Sequence, residues 1–88
     1  MSELDTLADQ YLNYLLIEKG LSDKTLESYG SDMAMYLSFL EENKINNISD
    51  ADTPVILKHL ISMRNAGLGA RSRARHLVTI RGFYRFMV

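Results

Sequence analysis

The chain has 88 residues, a formal net charge of −1, 47% hydrophobic residues and no cysteine. That length accommodates a single domain, residues 1–88, whose core must use most of its apolar side chains. The ordinary globular composition excludes a disordered chain, and the absence of cysteine excludes disulfides, thiolate chemistry and cysteine-ligated metal.

Leu4, Leu7, Ala8, Tyr11, Leu12 and Leu15 recur at helical spacing and predict a first helix with one apolar face, stopped at Lys19-Gly20. Its acidic start (Glu3, Asp5, Asp9) lacks the basic and apolar regions of a signal peptide. No apolar run nears the roughly 20 residues of a membrane span, so the expected compartment is the cytoplasm. Ser22 is placed to cap a second helix, with Leu26, Tyr29, Met33, Tyr36, Leu37 and Leu40 on one face and an end at Glu41-Glu42-Asn43. Lys44 to Ser49 reads as a loop turning at Asn46-Asn47, with Ile45 and Ile48 tucked into the core. The third helix has two possible starts. Either Ser49 caps it, with Asp50 and Asp52 at the positive end of the helix dipole, or Thr53 caps it with Pro54 at the first helical position. Val55, Ile56, Leu57, Leu60, Ile61 and Met63 are its apolar content, and Gly67 closes it. Gly69 turns the chain into a fourth helix running from about Arg71 to the end. With no internal repeat and short connections, the expected fold class is all-α, a compact four-helix bundle. The apolar ending, Phe83 to Val88 without a polar cap, is expected of a domain excised from a longer protein.

The net charge hides a division. Residues 1–52 hold all eleven acids against three lysines, a balance of −8, while residues 53–88 hold Lys58 and six arginines with no acid, a balance of +7. Two readings follow. The halves neutralise each other inside one fold, or the basic half meets a polyanion. On the last helix Leu77, Ile80, Phe83, Tyr84 and Met87 share one arc, the expected core face. Arg71, Ala74, Arg75, Val78, Gly82 and Arg85 lie opposite, flanked by Ser72 and Thr79. Arginine forks suit phosphates and guanine edges, small neighbours admit a close approach, and hydroxyls add neutral phosphate donors. A merely solvated face would favour Lys–Glu pairs four residues apart.

The remaining polar residues point to structure. The five tyrosines sit at core spacing. His59 and His76 read as packing at the edge of a helix face, and two imidazoles without a third ligand make a poor metal site. No metal and no cofactor is therefore expected. Asp32, near the core edge of the second helix, is expected to pair with Arg81 or Arg85. No catalytic constellation of Ser, His and Asp, phosphate loop or paired carboxylates is evident, so the chain is not expected to be an enzyme.

The run Glu18-Lys19-Gly20-Leu21-Ser22, with Thr25-Leu26, Tyr29 and Asp32-Met33, resembles the pattern G-L-S-x-x-T-L-x-x-Y-x-x-D-L. Ala74 to Phe86 resembles A-R-x-L-S-A-L-R-x-F-Y-x-F. Together with the segment Ile48 to Asp52 leading into the third helix, these motifs resemble the N-terminal core-binding domain of tyrosine recombinases of the phage integrase and Xer type, over essentially the whole chain. The resemblance implies a SAM-like bundle, joined in the family to a C-terminal catalytic domain that carries the nucleophilic tyrosine and catalytic arginines. Tyr84 is then a core aromatic and not a nucleophile. The implied function is a DNA-binding module of a site-specific recombinase, gripping the recombination half-site for DNA integration and recombination. The implied partners are double-stranded DNA, the catalytic domain of the parent and other recombinase protomers in a synaptic complex, with no membrane. Carried over by position, Lys24, Thr25 and Ser28 on the second helix and Ser72 and Arg75 on the last match DNA-facing sites, and the helical wheel adds Arg71 and Thr79. Gly30 and Ser31 stand where the family often carries basic residues, and Arg73 where it is usually small or apolar. The alternative is a helical protein-interaction module mediating protomer contacts.

Overall fold

Each helix boundary has a local cause in the sequence. A computed structural model of the chain describes residues 3–45 and 52–87. It contains α1 (Glu3–Ile17), α2 (Asp23–Glu42), α3 (Thr53–Asn65) and α4 (Ala70–Met87). Ser22 is extended and its hydroxyl accepts the Thr25 amide at 3.3 Å, which starts α2 as expected. Asp52 caps α3, its carboxylate accepting the Val55 amide at 3.3 Å, with Pro54 in the first turn. The helix thus begins at Thr53, which the second of the two expected starts had as its cap. An N-cap carboxylate satisfies a free amide and also meets the positive end of the helix dipole. Ser49, Asp50 and Ile48 lie outside the described residues.

The helix ends use left-handed residues. After α3, Gly67 (φ +95°) lets its own amide reach the Arg64 carbonyl at 3.1 Å and the Leu68 amide reach that of Met63 at 3.0 Å. The same double bond pattern closes α2, with Lys44 (φ +60°) in the glycine-like position and the Ile45 amide bonded to the Leu40 carbonyl at 2.8 Å. That turn delivers Ile45 into the core, as its spacing suggested.

The apolar faces meet in one core with two lobes. Leu4, Tyr36, Leu40 and Ile80 form one lobe; Ala8, Tyr11, Leu15, Met33 and Phe83 form the other. α4 packs on all three other helices, and α1 also packs on α2. Full burial of a ring such as Phe83 stabilises by roughly 1.5–3 kcal/mol. The inward face of α4 is rotated from the expected one. His76 and Thr79 are buried with Ile80 and Phe83, whereas Leu77 is only half-buried. Gly82, expected on the outer stripe, instead lies against the Tyr11 hydroxyl: a Cβ at this position would collide with that oxygen. The missing side chain lets α1 and α4 approach until Tyr11 donates to the Thr79 carbonyl at 3.2 Å.

Candidate nucleic-acid interface

The exposed side of α4 carries Arg71, Ala74, Arg75 and Val78, the arginine-and-small-residue stripe anticipated from the wheel. Among the described residues neither Arg71 nor Ser72 makes a side-chain hydrogen bond or ion pair. On α2, Lys24 is exposed and Thr25 and Ser28 are half-buried. The Thr25 oxygen accepts from Ser22 at 3.0 Å, which leaves its own proton free. The Ser28 hydroxyl donates to the Lys24 carbonyl at 3.3 Å, so it must turn before it can donate elsewhere.

α2 and α4 are joined through a buried carboxylate. Asp32 is 1% exposed. Its Oδ2 accepts from Arg75 Nε at 2.9 Å and from the Thr79 hydroxyl at 3.0 Å. Its Oδ1 accepts from Arg75 Nη2 at 2.7 Å and lies 3.0 Å from His76 Nε2. The hydrogen bond to Asp32 raises the Arg75 guanidinium's proton affinity further above its ordinary value. Two expectations are corrected here. Asp32 pairs with Arg75 and not with Arg81 or Arg85. Thr79 is fully buried, and its hydroxyl is shared between Asp32 and the Arg75 carbonyl, each at 3.0 Å, so it presents no donor at the outer face. The signal for the first was present: Asp32 falls in phase with Tyr29 and Tyr36, a polar residue on a core face that demands a buried partner. The choice among arginines depends on the rotation of α4, which spacing does not encode.

Both histidines are core residues. His59 and His76 are 3% and 1% exposed, with ring centroids 6.0 Å apart. Burial, reinforced by His76, pushes the His59 imidazole down to about 4. Burial also lowers His76, against the opposing pull of Asp32, so it is neutral at pH 7 and offers Nε2–H to the carboxylate. Tyr84, half-buried, has its hydroxyl 2.6 Å from that of Tyr36 in the core. Among the described residues no group of three or more His, Asp or Glu side chains is placed to hold a metal ion. No described helix is long and apolar enough to cross a membrane.

Comparison with known proteins agrees with the motifs. Residues 8–88 match the phage integrase N-terminal SAM-like domain, and the chain belongs to that family. It is similar to the tyrosine recombinase XerD of Staphylococcus epidermidis, at 42% identity over 86 residues, covering 94% of this chain and 28% of the relative. The tyrosine recombinase XerD of Pseudomonas putida is 43% identical over 82 residues, covering 93% and 27% respectively. That of Staphylococcus aureus is 34% identical over 85 residues, covering 97% and 29%. The chain therefore spans less than a third of the length of these relatives. No solved structure matches it.

Proposed function

We propose that the chain is a DNA-binding module of a site-specific tyrosine recombinase, working in the cytoplasm beside a C-terminal catalytic domain and gripping one half-site of duplex DNA. The observation that carries this reading is the state of the arginines. Of six in the sequence, Arg75 alone has an acidic ion-pair partner among the described residues. Apart from Arg75, the positive charge of α3 and α4 is thus not neutralised by ion pairs among the described residues, and it remains available to a polyanion. Family membership and the XerD relatives support the same class of partner.

In this reading Lys24 and Arg71 engage phosphates, Thr25, Ser28 and Ser72 set register through hydroxyl donors, and Arg75 reaches a phosphate or a base edge. Thr79 takes no direct part. The near-zero net charge implies a weak grip by this domain alone. The test is binding to duplex DNA over a series of salt concentrations. With two or three cationic phosphate contacts, log K falls against log salt with a slope of roughly −2 to −3. Replacing both Lys24 and Arg71 with glutamine flattens the slope by roughly 2. Absence of binding at low salt, or binding indifferent to salt, overturns the reading.

A further inference from the structure

We propose that Asp32 is a positioning residue that converts Arg75 from a mobile charge into a fixed hydrogen-bonding fork for reading DNA. The inference rests on the reading of α4 as a DNA-contacting helix. A guanidinium has five N–H donors. Asp32 takes Nε–H and one proton of Nη2, at 2.9 and 2.7 Å, and three donors remain. The anchor is inside and the fork outside: the Asp32 side chain is 1% exposed and that of Arg75 is 41% exposed. The carboxylate is itself pinned, by the Thr79 hydroxyl at Oδ2 and His76 Nε2 at Oδ1, and both belong to the helix that carries Arg75. Asp32 stands on α2 beside Met33, which is buried. The rotamer of Arg75 is therefore set before any ligand arrives, and association need not freeze a flexible side chain.

The same pair changes what Arg75 contributes. Its charge is largely cancelled by Asp32, so it adds little to the long-range attraction that all duplexes share. Its directional donors survive, and a rigid, planar fork is the group that distinguishes a guanine edge from other bases. Arg71, without an acidic partner, is the opposite case: it attracts any duplex and discriminates little. Neighbouring arginines one helical turn apart thus divide affinity from selectivity.

The experiment takes a duplex enriched by the wild-type chain from a randomised pool, with a shuffled duplex of equal length as reference. The ratio of the two affinities and the salt slope are measured for wild type, Asp32→Asn, Arg75→Ala and the double variant. Asp32→Asn is expected to lower the ratio about tenfold. It is also expected to steepen the salt slope by roughly 0.9, because a cation is unmasked. In the Arg75→Ala background the same change leaves the ratio unaltered, which a merely structural role for Asp32 would not do. Arg75→Lys, which keeps the charge and loses the fork, lowers the ratio equally and serves if Asp32→Asn does not fold. An unchanged ratio in Asp32→Asn, or an equal loss in both backgrounds, overturns the proposal. So does a wild type that binds DNA but enriches no sequence. A wild type that binds no duplex overturns instead the underlying DNA-binding reading.

Discussion

α4 is held by α1 and by α2 through opposite chemistry. Against α1 the contact is aromatic: Tyr11 meets Phe83 and Phe86 at centroid distances of 5.6 Å, and Tyr14 meets Phe86 at 5.0 Å. Against α2 the middle of the contact is a carboxylate with donors at both oxygens. Ring contacts tolerate small rotations, whereas a bidentate ion pair accepts one register. Thr79 belongs to both sides, its carbonyl taking the Tyr11 hydroxyl and its own hydroxyl serving Asp32. The difference teaches that apolar burial holds α4 in the bundle while one polar cluster sets its rotation, and with it the direction in which its arginines point.

The largest effect is expected on the α2 side. Asp32→Ala leaves the buried His76 nitrogen and half of Arg75's fork without their carboxylate, while the Thr79 hydroxyl keeps the Arg75 carbonyl as acceptor at 3.0 Å. Solvent recovers part of the loss at the exposed arginine, so a destabilisation on the order of 3–4 kcal/mol is expected in urea unfolding. A loss below about 1 kcal/mol would make the two sides of α4 equivalent and break the comparison.

Acid should attack the same side next. His59, packed between Phe39 and Tyr36 of α2 and His76 of α4, protonates only near pH 4 in the fold, against an ordinary value of 6.5. The unfolded chain takes up that proton at the higher pH, so stability is complete above about pH 6.5 and declines as pH falls towards 4. The expected loss is about 3 kcal/mol at pH 4. His76 is shifted in the same direction and adds to it. Urea midpoints at neutral and acid pH measure the decline, and His59→Leu should shrink it.

The smallest effect belongs to the α1 side. Gly82→Ala places a methyl group against the Tyr11 hydroxyl and should destabilise by about 1–3 kcal/mol. Tyr11→Phe alone gives up one hydrogen bond, about 1 kcal/mol. The double variant should be less destabilised than the two singles combined, because phenylalanine lacks the obstructing oxygen. Strict additivity would mean that Gly82 is not a close-approach position.

Much of this arrangement is legible in the sequence. Periodicity locates all four helices, Ser22 and Gly67 mark boundaries, and the two motifs place the chain in its family over residues 8–88. The site is only partly legible. The wheel correctly leaves Arg71 and Arg75 exposed, but it assigns Thr79 to the outer face and Leu77 to the core. A wheel finds its centre from apolar residues alone. In the fold the centre turns towards His76 and Thr79, because Asp32 needs donors and Gly82 admits the Tyr11 ring. The partners concerned, Asp32 and Tyr11, lie in other helices, at sequence separations of 47 and roughly 70 residues, beyond the reach of local pattern.

The core tyrosines have an optical consequence. The chain has no tryptophan and five tyrosines. Burial pushes Tyr11 up to about 12 and raises Tyr36 and Tyr84 as well, the latter two sharing a hydroxyl–hydroxyl contact. While the bundle is intact these three phenols stay uncharged in alkali that ionises free tyrosine. In a variant with Tyr14 and Tyr29 replaced by phenylalanine, phenolate absorbance appearing early therefore signals that α4 has separated from its neighbours, a label-free gauge of packing.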